Sequence, residues 1–253
     1  MNKPRVSIIT ICYNSAITIK DTVESVLKQD YPYLEYVIID GGSTDGTLDI
    51  IRSFGSDRII LQSGKDNGLY DALNKGLKAV TGDITGILHS DDFYPHGHVI
   101  SRIVSEFESG GHPDAVSTSV SIFRNNDFER PFRMYDATRF KSWQFRLGMQ
   151  PPHPGFFIRK DMLDKVGAFN DSYRISGDFD WLLRVIRIHK AKVRYSTYVS
   201  VYMRDGGISS SGFMSKKLMN AEILRILKSH GIYSNIFMVY FKYFLKIFQL
   251  RLF

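Results

Sequence analysis

Apolar and polar positions alternate between two periods over the first 90 residues. Arg5–Ile11 is a β-branched run of strand length, and Ser15–Lys28 spaces Ile19, Val23, Val26 and Leu27 as one helix face. Tyr36–Ile39 reads as a second buried strand, ending in the loop Asp40-Gly41-Gly42-Ser43-Thr44-Asp45-Gly46. The pattern then predicts a helix over Thr47–Phe54, a strand over Arg58–Gln62, a helix over Leu69–Val80 and a strand over Asp83–Leu88. Strands separated by helices imply crossover connections and a mostly parallel sheet flanked by helices, an α/β fold. Ligands of such sheets sit at the carboxyl ends of the strands. Here those ends carry Thr10 to Asn14, Asp40 and Asp91-Asp92, so polar residues gather where a ligand belongs.

Beyond residue 112 the alternation is less regular. Ala115–Phe123 and Lys192–Val201 read as strands and Phe179–His189 as a helix. Between them Gln150-Pro151-Pro152-His153-Pro154-Gly155 forms a rigid turn before the apolar Phe156-Phe157-Ile158. Arg204–Gly212 (RDGGISSSG) is a flexible loop able to close over a ligand, and it divides a body, 1–212, from a tail, 213–253.

Composition narrows the class. With 253 residues, 43% of them hydrophobic and 23% charged, the chain is neither disordered nor collagen-like nor a coiled coil. The lone Cys12 excludes an intramolecular disulfide, fits a reducing compartment and reads as a small core residue. MNKPRVSIITICYN has too short an apolar run for a signal peptide, so a cytoplasmic location is expected. The net charge of +7 is unevenly placed: residues 190–253 hold 11 Lys and Arg against Asp205 and Glu222, while residues 1–189 are slightly acidic. A basic tail on a near-neutral body calls for an anionic partner of the tail.

Three groups of residues carry candidate chemistry. Asp91 and Asp92, adjacent at a strand exit, raise each other's pKa unless a cation neutralises them, as in a metal–diphosphate clamp with Mg²⁺ or Mn²⁺. They also fit a simple turn in which Asp91 caps the next segment and Asp92 faces water. The Asp40–Gly46 loop could bring backbone amides to a phosphate, or merely let Ser43 or Thr44 cap the next helix. It matches neither the dinucleotide fingerprint nor the P-loop. Asp178 and Asp180 open a helix containing Trp181, Leu182 and Leu183, where a favourable helix dipole explains at least one of them.

Together, Thr10, Tyr13-Asn14, Asp40-Gly41-Gly42-Ser43-Thr44-Asp45-Gly46-Thr47, Asp66-Asn67-Gly68, Asn74-Lys75-Gly76 and Ser90-Asp91-Asp92 resemble the family 2 glycosyltransferases over roughly residues 4–210. Pro152-His153-Pro154, Ser176-Gly177-Asp178-Phe179-Asp180 and Gly206-Gly207-Ile208-Ser209 are similar to the branch that builds bacterial surface polysaccharides such as colanic acid, capsule and O-antigen. The resemblance implies a Rossmann-like GT-A fold and inverting transfer from a nucleotide-sugar. It puts Thr10 and Asp40 on the nucleoside, Tyr13 and Asn14 on the same wall, and Lys65 or Asp66 beside base or ribose. Asn74 is carried over as a further contact, although an Asn in a helix can simply face solvent. Asp91 would touch ribose or diphosphate, Asp92 would hold the metal and Asp178 would be the catalytic base. His153 and Asp180 are candidate acceptor or diphosphate contacts, each with an equally simple structural role as turn residue or cap. One departure stands out: the family often has an acid two residues before its central Asp, and here that position is His89, either a metal ligand or, more simply, a structural histidine that leaves the metal to Asp92 and the diphosphate.

The last 22 residues, IYSNIFMVYFKYFLKIFQLRLF, contain eight aromatics, three bases and no acid. Lys242 and Lys246 interrupt the apolar run, so an amphipathic helix at the cytoplasmic membrane surface fits better than a span. A helix packed on the body, as at a homodimer interface, is the alternative. Nucleic acid is not expected, because no recognition motif accompanies the charge. The activity that the resemblance implies is transfer from a nucleotide-diphospho-sugar to a lipid-linked saccharide, with UDP favoured by the resemblance alone and GDP- and dTDP-sugars left open. The rivals are a sugar nucleotidyltransferase, for which a basic glycine-rich loop is missing near the N-terminus, and an inactive saccharide-binding or assembly subunit.

Overall fold

The computed structural model describes residues 3–124, 127–206 and 212–247. Most of the Gly206-Gly207-Ile208-Ser209 motif and the end of the tail, 248–253, lie outside the described residues. Four strands, β1 (Val6–Cys12), β2 (Leu34–Asp40), β3 (Ile59–Ser63) and β4 (Ile84–Ile87), form a parallel block in the order β3-β2-β1-β4. Helices α1 (Ile19–Leu27), α2 (Thr47–Ser53) and α3 (Leu69–Ala79) connect them. These elements lie where hydrophobic periodicity places them, although α1 starts four residues later than Ser15.

Both faces of the block are buried, which is why its strands read as continuous apolar runs. Ile9, Ile11, Val37 and Ile39 face a layer containing Leu73 of α3. Ile8, Tyr36 and Ile38 face Val23 and Val26 of α1 and Ile103 of α4 (Val99–Glu108) on the other side. Gly76 of α3 permits the closest helix approach. A Cβ there would lie 2.5 Å from Ile9 Cγ2.

The second half departs from the expected parallel order. β5 (Ala115–Phe123) is joined to β4 through the antiparallel β7 (Phe156–Arg159), and the short β6 (Arg133–Tyr135) also pairs β5 antiparallel. β8 (Val193–Arg204) pairs β5 in parallel. The eight-stranded sheet is therefore mixed rather than mostly parallel. Helices α5 (Lys160–Val166) and α6 (Gly177–Leu183) cover one face, and α6 continues into a wider π turn, Arg184–Ile188.

The tail folds into α7 (Gly212–Ser229) and α8 (Ile236–Ile247). Ile223, Ile226, Leu227 and Val239 are buried in the same core as the sheet, so the body and these helices share one hydrophobic interior. Lys242, which interrupts the apolar pattern, is itself buried. Its Nζ lies 3.3 Å from where a Cβ on Gly148 would stand. No described helix is long and apolar enough to cross a membrane.

Candidate active site

The carboxyl ends of β1 and β2 build one wall. Asp40 closes β2, fully buried. One carboxylate oxygen accepts the backbone N–H groups of Gly42 and Ser43 at 3.0 Å and the Ser63 hydroxyl at 2.7 Å; the other accepts the Ser43 hydroxyl. Burial alone would raise its pKa, but these bonds win and hold the carboxyl below the ordinary value. Asp40 therefore folds the glycine loop. Asn14, at φ +49, locks the loop to β1: its N–H donates to Ser43 Oγ at 2.8 Å, and its Oδ1 accepts Thr44 N–H at 3.0 Å. Asp45 accepts from Ala16 N–H at 3.0 Å and from Thr47 N–H at 3.1 Å, tying β1 to the start of α2.

Open surface appears beside this scaffold. Tyr13 is 65% exposed, and Lys65 is also exposed. Asp66 pairs with Lys75. A Cβ on Gly41 would lie 3.0 Å from Asp66 Oδ2 and 3.4 Å from the Tyr13 ring, so the glycine lets an aromatic side chain and a carboxylate close in over the backbone. Thr10 does not reach that space. Its hydroxyl is buried, donating to Leu88 O at 2.7 Å and accepting from Tyr36 Oη at 3.0 Å. Asn74 is likewise occupied, making two hydrogen bonds to the Phe169 backbone at 3.0 and 2.8 Å.

The exit of β4 builds the opposite wall. Thr22 Oγ1 donates to the carbonyls of Ser90 and Asp92, and Arg204 Nη1 donates to the Asp91 carbonyl at 2.7 Å. Asp91 is half-buried, whereas Asp92 is only 1% exposed and neither of its carboxylate oxygens has a hydrogen-bond partner. Burial and the neighbouring Asp91 charge push the Asp92 carboxyl well above the usual carboxylate range, against a partial pull from Arg204. An orphaned carboxylate fits a cation. Among the described residues, however, no three His, Cys, Asp or Glu side chains converge as a metal cluster. A hard divalent ion would have to complete its shell with phosphate oxygens and water, as Mg²⁺ and Mn²⁺ do.

Behind this wall the rings of His89 and His153 lie 5.7 Å apart. Burial keeps both neutral, with His153 pushed down to about 4; the charge of Asp178 opposes this at both rings, and Asp91 opposes it at His89. His153 Nε2 has no partner and borders a cavity of about 10 Å³ with the equally unpartnered Thr85 hydroxyl, room for one water at most.

Asp178 stands in the first turn of α6. Gln150 Nε2 donates to its Oδ2 at 2.6 Å. Tyr70 Oη accepts the Asp178 N–H at 3.3 Å, lies 3.4 Å from its Oδ1 and donates to Ile175 O at 2.7 Å. Asp180 is placed as a supporting residue: its carboxylate is buried, with one oxygen bonded by Arg184 and the other by His230, each at 2.9 Å.

Three supporting residues escape sequence reasoning. Gln150 and Tyr70 carry no motif signal of their own. Glu222 of α7 accepts the backbone N–H groups of Arg174, Ile175 and Ser176 at 2.7–3.0 Å, fixing the turn that delivers Asp178. Its signal was its rarity, as one of two acids in a basic segment.

Known proteins resemble this chain in sequence and in fold. The profile of the family Glycosyl transferase family 2 matches residues 7–167. A PGL/p-HBAD biosynthesis glycosyltransferase of Mycobacterium bovis is 29% identical over 215 residues, 83% of this chain and 81% of the relative. An uncharacterized glycosyltransferase of Mycobacterium tuberculosis is 31% identical over 183 residues, 72% of this chain and 68% of the relative. Among solved structures, S. aureus TarS 1-349 in complex with UDP-GlcNAc superposes with a TM-score of 0.65 at 20% identity, covering 87% of this chain and 66% of that one. Mannosyltransferase PcManGT from Pyrobaculum calidifontis, in complex with GDP-Man and Mn²⁺, gives 0.65 at 22%, covering 89% and 65%. These superpositions bear out the α/β GT-A fold expected from sequence.

Proposed function

The chain belongs to glycosyl transferase family 2, and from that premise we propose that it transfers a hexosyl or N-acetylhexosaminyl group, with inversion, from a UDP-sugar to a lipid-linked saccharide. Its setting is bacterial surface polysaccharide assembly at the cytoplasmic face of the membrane. The observation that carries this reading is the held carboxylate Asp178, fixed by Gln150 and Tyr70 and within electrostatic reach of His89, which also senses Asp91.

The donor nucleoside lies against Tyr13 and Asp66 over Gly41, with Lys65 at the rim and Asn14 and Asp40 shaping the loop beneath. Asp91 faces ribose or diphosphate. Asp92, whose oxygens lack partners, would hold Mg²⁺ or Mn²⁺ together with diphosphate oxygens, and that ion supplies neutralising charge for the departing nucleoside diphosphate. The acceptor hydroxyl oxygen attacks the anomeric carbon as the bond to the diphosphate oxygen breaks on the opposite face. Asp178 takes the hydroxyl proton. Gln150 holds Oδ2 at 2.6 Å, whereas Oδ1 has only the long 3.4 Å contact to Tyr70 Oη, so Oδ1 takes that proton. His153 stays neutral beside the reaction and withholds a competing positive charge.

Asp178→Asn preserves volume and tests the assignment. Turnover is expected to fall by roughly 10²–10⁴-fold, with UDP affinity unchanged in calorimetry and an inverted anomeric centre in the product of the parent enzyme by NMR. Near-normal turnover of the variant, or retained configuration, would overturn the reading.

A further inference from the structure

Helix α8 has two faces of opposite kind. Val239 and Lys242 turn into the body, so one of the two lysines that interrupt the apolar run in sequence is removed from the outer surface in space. Phe237, Tyr240, Phe241 and Phe244 recur at helical spacing on the other side and are 83, 45, 49 and 53% exposed. Phe241 and Phe244 stack at 5.7 Å, making a continuous ridge. The 3-10 turn Ser142–Leu147, on which α8 packs, adds exposed Trp143 at its flank, and Arg146 lies 5.6 Å from the exposed Tyr233 ring. An apolar patch of this kind marks an interaction surface.

Charge selects the occupant. Among the described residues of α7 and α8 the one acid is Glu222, buried and bonded, whereas Lys216, Lys217, Arg225 and Lys228 are exposed. A second copy brought to this surface would meet like charge; an anionic bilayer meets opposite charge. The twelve described residues of α8 extend about 18 Å, against a hydrocarbon core of about 30 Å, and their two-faced pattern suits a helix lying in the interface plane.

We propose that the outer aromatic face of α8 is a membrane-docking surface for anionic phospholipid, with the rings at the headgroup–acyl boundary and the lysines of α7 facing the headgroups. It extends the reading of a lipid-linked acceptor by naming the face that meets the bilayer. Because α7 carries Glu222, the docked helix pair is tied to the turn that delivers Asp178. Docking therefore fixes how the base faces the membrane.

The test uses the full chain and needs no acceptor. It should sediment with phosphatidylglycerol-containing vesicles, more strongly at low salt and weakly with phosphatidylcholine alone. Combining Phe237→Ser, Phe241→Ser and Phe244→Ser removes exposed rings, so the circular-dichroism melt should hold. Vesicle partitioning should fall about 100-fold, roughly five-fold per ring. Lys216→Gln with Lys217→Gln should flatten the salt dependence. UDP affinity should be equal in all of these proteins; its absence from all of them would count against the transferase reading and leave docking standing. Binding that the triple variant retains overturns the docking face. So does a dimer in analytical ultracentrifugation that the triple variant converts to monomer without loss of vesicle binding.

Discussion

Asp91 and Asp92 are neighbours in sequence with opposite surroundings: one is half-buried at the cleft, the other enclosed with two unpartnered oxygens. An enclosed carboxyl with a raised pKa resembles an amide in charge and shape, so Asp92→Asn should leave the thermal midpoint within a few degrees of the parent. What it should remove is the response of UDP binding to Mn²⁺, measured by calorimetry with and without the ion. Asp91→Asn should weaken UDP binding yet keep that response. Reversal of the two outcomes would move the metal to Asp91. The same scale separates motif residues that touch ligand from those that build the cleft. Thr10 and Asn74 present polar atoms that the fold has already paired, and a pattern of residue types cannot tell a hydroxyl facing a ligand from one bonded to Leu88 O.

At the scale of elements, the parallel half of the sheet was readable because both faces of its strands are buried and the glycine loops punctuate them. Gly76 shows how a motif position serves packing. Alanine there would favour the helix by about 1 kcal/mol, but its Cβ would meet Ile9 of a fully buried strand. Overpacking of that kind costs about 1–3 kcal/mol, so Gly76→Ala should lower the urea midpoint of unfolding. The helix α4, not anticipated in the reading of residues 93–112, follows the irregular Ser90–His98 turn segment, where no cap side chain marks its start. The strand β7 was hidden because Phe156-Phe157-Ile158 is too short a run to distinguish strand from buried turn, and its antiparallel insertion depends on partners more than 30 residues away.

For the whole molecule, the tail proves to be two things at once. Its inner face completes the core, and its outer face remains exposed. Ending the chain before residue 212 would uncover the surface that Ile223, Ile226 and Leu227 fill and leave the N–H groups of Arg174, Ile175 and Ser176 without their carboxylate. Such a truncation is expected to lose cooperative thermal unfolding by circular dichroism rather than merely lose membrane binding. A sharp melt near that of the full chain would mean that the body folds without α7.

By itself the sequence determined the α/β layering, the glycosyltransferase family and the collection of carboxylates at strand ends, because each rests on local periodicity or on motifs of adjacent residues. Only the tertiary structure decided which polar atoms remain available. Asp180 is bonded to Arg184 and His230, Asp92 is enclosed, Lys242 points inward, and Gln150 with Tyr70 holds Asp178. Each of these outcomes joins residues from separate elements, and a hydrogen-bond partner brought by a distant helix leaves no periodic trace in the chain. Burial, and with it the protonation of a carboxyl or an imidazole, belongs to the packed molecule and not to the residue.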